Sequence, residues 1–244
     1  MCYNYVMEIH RQTSPEAAAA EAGEYLNAFL TEHKAAPVLL LLSGGSALAL
    51  LDYVGKAALG ENLTISVLDE RFSQDPAINN FAQIQRIQFY SDALAAGCGF
   101  FGTLPRNNES AEDLAARWQE NILAWTKENP EGLIAATLGL GSDGHTAGIF
   151  PFPENPGEFK RLFESENFVA AYHAAGKNQF PGRITAALTL LKNLDAGFAY
   201  ACGKEKRQAL QSLLTGKKTA ATLPAAAWLE IKQLDIFTDL DVKV

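Results

Sequence analysis

Short runs of apolar residues, each ending in a Gly-rich or charged segment, constrain the fold of this 244-residue chain more than any other feature. Val38–Leu42 is continuously apolar, and residues 63–68 and 133–138 form two further runs of this kind. Such runs are typical of strands that are buried on both faces of a parallel sheet. Because segments with helical patterns separate them, the strands need crossover connections. The sequence therefore predicts an α/β fold with a mainly parallel sheet and helices on both faces.

The other elements are predicted from the patterns between and after these runs. Thr13 and Glu16 have the spacing of a capping box, with Pro15 in the first turn, and predict a helix over residues 13–32. Further helices are predicted over residues 47–59, 80–94, 111–127, 184–194 and 204–214. Short strands are predicted over residues 168–172, 198–201 and 234–237. No repeat or clear linker interrupts this pattern, so we expect a single domain over residues 1–244.

The composition argues against several classes of protein. The net charge is −8 and the sequence pI is about 5.1, which disfavours nucleic acid and anionic membranes as partners. The first residues lack the pattern of a signal peptide, and no apolar run is long enough to span a bilayer. The three scattered cysteines fit neither a disulfide framework nor a zinc site, and no P-loop or GxGxxG motif is present. We therefore expect a cytoplasmic protein without a metal, a cofactor, a nucleic-acid partner or a membrane partner.

Polar clusters directly follow three of the predicted strands. In open parallel sheets, ligands bind beyond the carboxyl ends of the strands, so we expect the three clusters to meet in one cleft. The first cluster is Ser43-Gly44-Gly45-Ser46. Its small residues allow backbone N–H groups to approach an anion, and the helix predicted next offers its N-terminus. A phosphate site is one interpretation, and a tight connection without a ligand is the other.

The second cluster is Asp69-Glu70-Arg71 at the end of the second predicted strand. Arg71 could clamp a phosphate or a sugar oxygen with its planar set of donors. Asp69 could orient Arg71 or serve as a base. An ion pair at a strand end, without any role in binding, is the alternative interpretation.

The third cluster is the Gly-rich segment 139–148, which contains Asp143 and His145. Glycines around these two residues permit an unusual backbone path that directs both side chains into a cleft. A histidine is the natural general base near neutral pH, and a nearby carboxylate can orient it. A surface histidine in a Gly-rich turn is the alternative, but the density of this cluster after a core strand favours a catalytic His145 with Asp143 as its partner. The other histidines lack a supporting motif and are interpreted as structural or surface residues: His10, His33 and His173.

Positive charges for a bound phosphate are available at two predicted helix starts. Arg183 follows Phe-Pro-Gly, and Lys204, Lys206 and Arg207 follow Gly203. A junction of strand, glycine and helix faces the carboxyl edge of the sheet, so these cations could contact a ligand there. For any one of them, an exposed surface charge is the alternative.

Several segments resemble, in the same order, motifs of the 6-phosphogluconolactonases in the glucosamine-6-phosphate isomerase/deaminase superfamily. They are LLLSGGSALALL, LDERF, the INNF that follows it, LGLGSDGHTAGIFP, GRITAALTLL and CGKEKRQAL. The resemblance extends over nearly the whole chain, and DGHTA followed by Phe150-Pro151 is its most specific part. It implies a Rossmann-like fold and the metal-free hydrolysis of 6-phosphoglucono-δ-lactone to 6-phosphogluconate, in the oxidative pentose phosphate pathway.

The resemblance also implies roles for individual residues. His145 would match the catalytic histidine, with Asp143 beside it. Together with Asp69, the residues expected to bind the phosphorylated lactone are Gly44, Gly45, Ser46, Arg71, Arg183 and Lys206. The chain departs from the family pattern at several places: Gly-Gly-Ser lacks the Thr-Pro that often follows, and Asn79-Asn80 stands for the common Ser-Asn. These departures concern substrate positioning more than the class of reaction.

Three other functions stay open. One is an isomerase or deaminase of the same fold, another is a non-catalytic sugar-phosphate sensor, and the third is an enzyme of this fold with a different phosphorylated lactone or sugar as its substrate. Deaminases of the superfamily follow Asp-Gly-His with Ala-Phe-Asn-Glu, whereas this chain has Phe150 at the position of the Glu. A sensor that regulates transcription needs a DNA-binding module, which the acidic charge and the single helix predicted before Val38 argue against.

Overall fold

The largest element of the computed structural model, which describes residues 6–243, is a seven-stranded parallel sheet. The strands are β1 (Val6–Arg11), β2 (Val38–Leu42), β3 (Leu63–Val67), β4 (Asp69–Arg71), β5 (Gly99–Phe100), β6 (Leu133–Gly139), β7 (Val169–His173), β8 (Gly182–Ala186), β9 (Ala196–Tyr200) and β10 (Gln233–Thr238). The order in the large sheet is β1-β10-β9-β6-β2-β3-β5, and each neighbouring pair is parallel. This arrangement confirms the predicted mainly parallel α/β fold. The single domain over residues 1–244 stays a prediction.

Helices surround this sheet and connect most of its strands. The α-helices are α1 (Pro15–Glu32), α2 (Asn80–Ile84), α3 (Gln88–Ala95), α4 (Ala111–Glu128), α5 (Pro156–Phe163), α6 (Leu188–Leu191) and α7 (Arg207–Leu214). Shorter 3₁₀ segments lie at Gly45–Tyr53, Lys56–Ala58, Lys204–Lys206 and Pro224–Glu230. Between residues 6 and 243, no helix combines the length and the apolar character needed to cross a membrane.

The centre of the sheet is apolar on both faces. All five residues of β2 are buried, as the continuous apolar run predicts. Complete burial of each of its leucine side chains contributes roughly 1.5–3 kcal/mol to stability. The buried apolar residues form one cluster that extends from α1 to β10 and beyond. The carboxyl end of β2 is therefore fixed in the core, and the loop after it starts from a rigid base.

A second sheet is antiparallel and has three strands in the order β4-β8-β7. Its presence corrects the predicted helix over residues 184–194, because residues 182–186 form β8 and only the four residues of α6 are helical. The β-branched Ile184 and Thr185 favour a strand, and β8 has a partner strand on both sides. The register places Arg183 directly opposite Arg71. The second sheet thus joins two residues that are far apart in sequence.

The predicted helix over residues 47–59 is shorter in the structure and is not an α-helix. A 3₁₀ helix covers Gly45–Tyr53, and a separate turn covers Lys56–Ala58. The first helix ends because Val54 is extended and the backbone N–H of Gly55 donates to Oδ1 of Asn27 at 2.9 Å. This hydrogen bond to a side chain of α1 therefore ends the 3₁₀ helix earlier than the sequence pattern predicts.

The predicted helix over residues 80–94 is divided into α2 and α3. Arg86 N donates to Gln83 O at 3.1 Å, and this bond belongs to the tighter turn that closes α2. Strand β1 has no counterpart in the sequence prediction, because most of this edge strand is exposed and its residues lack a clear alternation. The remaining predicted helices and strands are present with shifts of a few residues at their ends.

The N-terminus of α1 gives the first testable prediction. Ser14, and not Thr13 as the capping box predicts, is the N-cap, and its Oγ accepts from Ala17 N at 3.2 Å. We expect Ser14→Ala to lower the free energy of unfolding by about 1 kcal/mol, since a backbone donor loses its partner. Thr13→Ala is the matched control and should change stability by less than about 0.5 kcal/mol, because Thr13 is exposed. Urea unfolding measures both, and a larger loss for Thr13→Ala would contradict this assignment.

Candidate active site

A cavity of about 200 Å³ lies at the carboxyl ends of the central strands, where the three polar clusters meet. Seven of the nine predicted site residues line it: Gly44, Gly45, Ser46, Asp69, Arg71, His145 and Arg183. Asp143 lies outside this lining but contacts His145, and Lys206 lies outside it as well. The three clusters are separated by tens of residues in the chain, so the parallel topology alone brings them together. The roles of these residues in catalysis and binding stay predictions.

The loop after β2 presents backbone to the cavity. Ser43 N donates to Thr137 Oγ1 at 2.9 Å, which ties the start of the loop to β6. Gly45 has a φ of +68°, in the left-handed region that favours glycine. Gly44 lies against Asn80, and a Cβ at Gly44 would be 2.8 Å from Asn80 Oδ1. A larger residue at either position would strain the loop or displace Asn80.

Asp69, Arg71 and Arg183 form a charged group at the wall of the cavity. Arg183 Nη1 lies 3.4 Å from Asp69 Oδ2, and both side chains are buried. Burial raises the pKa of Asp69, although Arg183 and Arg71 oppose this effect. Two guanidinium groups and one carboxylate leave an excess of positive charge in the group. Within residues 6–243, the buried Nε atoms of Arg71 and Arg183 also have no hydrogen-bond partner, so the wall has unpaired donors for an anion.

Glu70 is completely buried and joins the same wall to α2 and to the loop before α4. Its carboxylate accepts from four donors, which are Arg71 N, Asn80 N, Phe81 N and Thr103 Oγ1, at distances between 2.6 and 3.0 Å. Burial raises the pKa of Glu70 to about 7 in spite of these four hydrogen bonds. No role for Glu70 follows from the sequence alone. The structure makes it the residue that fixes Arg71 and Asn80 relative to each other.

His145 lies on the Gly-rich loop after β6, and its imidazole is held by Asp143. His145 Nδ1 is 2.6 Å from Asp143 Oδ1, and His145 N donates to the same oxygen at 3.0 Å. Burial raises the pKa of Asp143, but the hydrogen bonds from His145 outweigh this effect and keep it below its usual value. An ionised Asp143 can only accept, so the tautomer of a neutral imidazole that fits this contact carries its proton on Nδ1 and has the lone pair on Nε2.

The loop around His145 takes the unusual backbone path that its glycines predict. Gly144 and Gly148 have positive φ, and so does Ala147 with a φ of 49°. Other elements hold the loop in this path: Trp228 Nε1 donates to Thr146 Oγ1 at 3.1 Å, and Thr185 Oγ1 donates to Ala147 O. His145 is therefore preorganised by neighbours that are distant in the sequence.

Phe150 is buried and lies near two groups of the site. Its ring centroid is 4.7 Å from that of His145 and 5.6 Å from the guanidinium carbon of Arg183. A phenylalanine in this place contacts the imidazole without offering it a second acceptor.

The remaining predicted residues lie elsewhere. Lys206 ends the 3₁₀ turn before α7, and its Nζ is 5.8 Å from the centroid of the Tyr200 ring. His10 is hydrogen-bonded to Asp235 at 2.7 Å, the ring of His33 contacts that of Phe29 at a tilt, and His173 is exposed. Within the described part of the chain, one group of three side chains has the spacing to hold a metal ion, and it lies on β1 and β10 away from the cavity lining: Glu8, His10 and Asp235.

Several residues of the cavity have no assigned role in the sequence analysis. They are Ser43, Asn80, Gly139, Leu140, Ala147, Gly148, Phe150 and Asn178. Most lie inside the three clusters, so their position in the chain is the available signal. Asn80, Phe150 and Asn178 lie outside the clusters. Asn80 follows Asp69 by eleven residues and reaches the cavity through the start of α2.

Known proteins of the same architecture exist. The family described as glucosamine-6-phosphate isomerases/6-phosphogluconolactonase has a sequence model that matches residues 10–236. The chain belongs to this family. A 6-phosphogluconolactonase of Xylella fastidiosa (strain 9a5c) is 36% identical over 102 residues, which are 38% of this chain and only 41% of that relative.

Solved structures of family members have the same fold. The 6-phosphogluconolactonase of Shewanella baltica OS155 superposes with a TM-score of 0.71 at 20% identity, over 96% of this chain and 97% of that one. The 6-phosphogluconolactonase of Leishmania guyanensis gives a TM-score of 0.73 at 18% identity, over 96% and 97% of the two chains. At these identities the likeness establishes the fold, and it agrees with the resemblance seen in the sequence.

The approach of Gly141 to His145 gives the prediction for this site. A Cβ on Gly141 would lie 2.0 Å from His145 Nδ1, so Gly141→Ala must move the imidazole away from Asp143. We expect the imidazole NMR signals of His145 to shift strongly in this variant. In Gly157→Ala, the matched control, the new Cβ meets nothing closer than 3.7 Å and the signals should stay in place. Unchanged His145 signals in folded Gly141→Ala would contradict the close contact.

Proposed function

We propose that this protein hydrolyses 6-phosphoglucono-δ-lactone to 6-phosphogluconate, with His145 as the general base. The observation that carries the proposal is the imidazole held at 2.6 Å by Asp143, in a cavity whose wall contains Arg71 and Arg183. A base of fixed orientation beside an anion site suits a phosphorylated electrophile. Membership of a family that includes 6-phosphogluconolactonases supports the same assignment.

The chemistry follows from the protonation state of the Asp143–His145 pair. Nε2 of neutral His145 takes a proton from a water molecule while the water oxygen bonds to C1 of the lactone. The bond between C1 and the ring oxygen then breaks, and the imidazolium returns its proton to that oxygen. The product is an open-chain acid, and the histidine is again neutral. A lactone is an activated ester, so no covalent nucleophile is required.

Asp143 stabilises the imidazolium that forms when His145 takes the proton from water. Its carboxylate stays ionised because the hydrogen bonds from His145 keep the pKa low, and it faces the imidazolium at hydrogen-bond distance. The same contact holds the ring so that Nε2 cannot rotate out of position. Asp143 is therefore a positioning residue in this mechanism.

The substrate phosphate is proposed to bind through the cations around the cavity. Arg71 and Arg183 lie opposite each other on β4 and β8, and such a pair of like charges is unfavourable without an anion. Asp69 neutralises one of the two charges. The backbone of Gly44, Gly45 and Ser46 completes the lining. Lys206 is proposed as a further contact, since it follows β9 at the carboxyl edge of the sheet.

Phe150 favours hydrolysis over the deaminase reaction of the superfamily. Deaminases have a glutamate at this position, which supports the histidine in opening the sugar ring. Here a buried phenyl ring packs against His145 and neither carries charge nor accepts a proton. The protein is accordingly proposed to act on a phosphorylated lactone as its small-molecule partner, and its location in the cytoplasm stays a prediction.

The proposal is tested with purified protein and freshly generated 6-phosphoglucono-δ-lactone. Acid release is followed against the spontaneous reaction, and ammonia release from glucosamine 6-phosphate is measured beside it. Lactone hydrolysis without ammonia is the expected result. Deamination with a comparable kcat/KM would place the protein in the other branch of the family.

His145→Ala should lower kcat by about 10²–10⁴-fold, because the reaction loses its general base. The matched control is His173→Ala, which removes an exposed histidine at the end of β7 and should leave kcat unchanged. Circular dichroism verifies that both variants are folded. A near wild-type kcat for His145→Ala would rule out His145 as the base.

Arg71→Ala should raise KM for the phosphorylated lactone more than KM for glucono-δ-lactone. Loss of a hydrogen bond to a charged group costs roughly 1.5–3 kcal/mol, or about 10- to 150-fold. Lys206→Ala is expected to act in the same direction. Arg161→Ala, which breaks a surface pair with Glu158, is the control and should leave both KM values unchanged. Equal losses on the two lactones would show that the mutated residue does not contact phosphate.

A further inference from the structure

Asn80 has a buried hydrogen-bond acceptor to which no group of the described residues donates. The residue is only 2% exposed, its side chain lines the cavity, and its Oδ1 has no partner. Among residues 6–243, the other buried side-chain atoms without a partner are donors, so Oδ1 is the single acceptor of this kind. Leaving such a group unsatisfied costs about 1–3 kcal/mol. An unpaired acceptor in a cavity wall points to a ligand that donates.

The orientation of the Asn80 amide is fixed by its other half. Nδ2 donates to Asp69 O at 2.9 Å. Reversing the amide would place two carbonyl oxygens against each other, so Oδ1 must be the atom on the free side. A Cβ at Gly44 would be 2.8 Å from Oδ1, so the loop keeps space beside this oxygen only because residue 44 is a glycine.

The backbone of Asn80 is also held in place. Glu70 Oε1 accepts from Asn80 N at 2.6 Å, and Oε2 accepts from Phe81 N at 3.0 Å. The carboxylate thereby caps the first turn of α2, where Asn80 is the first helical residue. A fixed acceptor of this kind loses little conformational entropy when a ligand binds.

The chemistry of the cavity identifies the donor that suits Oδ1. The two arginines can only donate, and they suit the anionic end of a phosphorylated sugar. The ring of that sugar carries hydroxyl groups, which need acceptors. Asp69 is already paired with Arg183, and His145 is required for the water molecule in the proposed mechanism. We propose that Asn80 Oδ1 accepts a hydrogen bond from a ring hydroxyl of the bound lactone and is thereby a specificity-determining residue; this rests on the proposed function.

The test combines Asn80→Ala with lactones that lack one hydroxyl. The 2-deoxy, 3-deoxy and 4-deoxy forms of 6-phosphoglucono-δ-lactone are compared with the parent lactone, and each rate is divided by the spontaneous rate. For the deoxy lactone that lacks the bound hydroxyl, we expect wild-type kcat/KM to be about tenfold lower than for the parent lactone, which corresponds to the loss of one hydrogen bond. In Asn80→Ala the ratio of kcat/KM between the parent lactone and that deoxy lactone should fall below about twofold, because the variant lacks the acceptor for this hydroxyl.

Asn79→Ala is the matched control. Asn79 is also buried, but its amide donates to Arg71 O and Ser73 O, and the residue does not line the cavity. Its loss should lower kcat/KM for all four lactones alike and preserve the wild-type preference among them. Comparing the variants thus separates a contact to substrate from support of the Asp69–Arg71 segment.

Three results would overturn the proposal. Equal losses on all four lactones in Asn80→Ala would leave Asn80 with a structural role only. Wild-type enzyme that does not distinguish any deoxy lactone from the parent would exclude the hydrogen bond even if Asn80→Ala fails to fold. Wild-type protein that hydrolyses no lactone at all would refute the proposed function, and the assignment of Asn80 with it. In the first two cases lactone hydrolysis by the wild type would still stand.

Discussion

The site depends on one buried interaction, the set of four hydrogen bonds to the carboxylate of Glu70. A carboxylate without a cationic partner is costly to bury, and the raised pKa of Glu70 reflects that cost. The donors come from β4, from the start of α2 and from Thr103. Losing the carboxylate would leave these donors unsatisfied in the interior. The arrangement of Arg71 and Asn80 at the cavity is therefore fixed by a residue that does not line it.

Local charge in the cavity opposes the charge of the whole chain. The protein carries a net charge of −8, yet Arg71 and Arg183 face one carboxylate, that of Asp69. Burial lowers the pKa of Arg183, and Asp69 partly restores it. Interactions in a partly enclosed cavity are screened less than those at the surface. A few buried cations can thus attract an anionic sugar phosphate to a protein whose overall field repels it.

The parts of the fold that are local in sequence are the ones that the sequence predicts. Val38–Leu42 reads as a buried strand, and the loops after three such strands converge as parallel topology requires. The sequence predicts a helix over residues 184–194, although β8 extends into this range, because one partner strand of β8, β4, lies far away in the chain and its pairing leaves no local pattern. Glu70 is not identified from the sequence for a similar reason. Its carboxylate accepts hydrogen bonds from donors up to 33 residues away. Lys206 lies in a segment that resembles a family motif, but it is not among the residues that line the cavity. The spacing of residues along the chain does not show how far a side chain lies from the cavity.

Phe150 shows how one apolar residue can determine which chemistry this site supports. Its ring lies between the imidazole of His145 and the guanidinium of Arg183. A carboxylate in its place would pair with Arg183 and remove positive charge from the wall that is proposed to bind phosphate. It would also compete with Asp143 for the imidazole and change which nitrogen carries the proton. An apolar ring avoids both effects, so in the proposed mechanism His145 keeps Asp143 as its partner and Nε2 stays free for water.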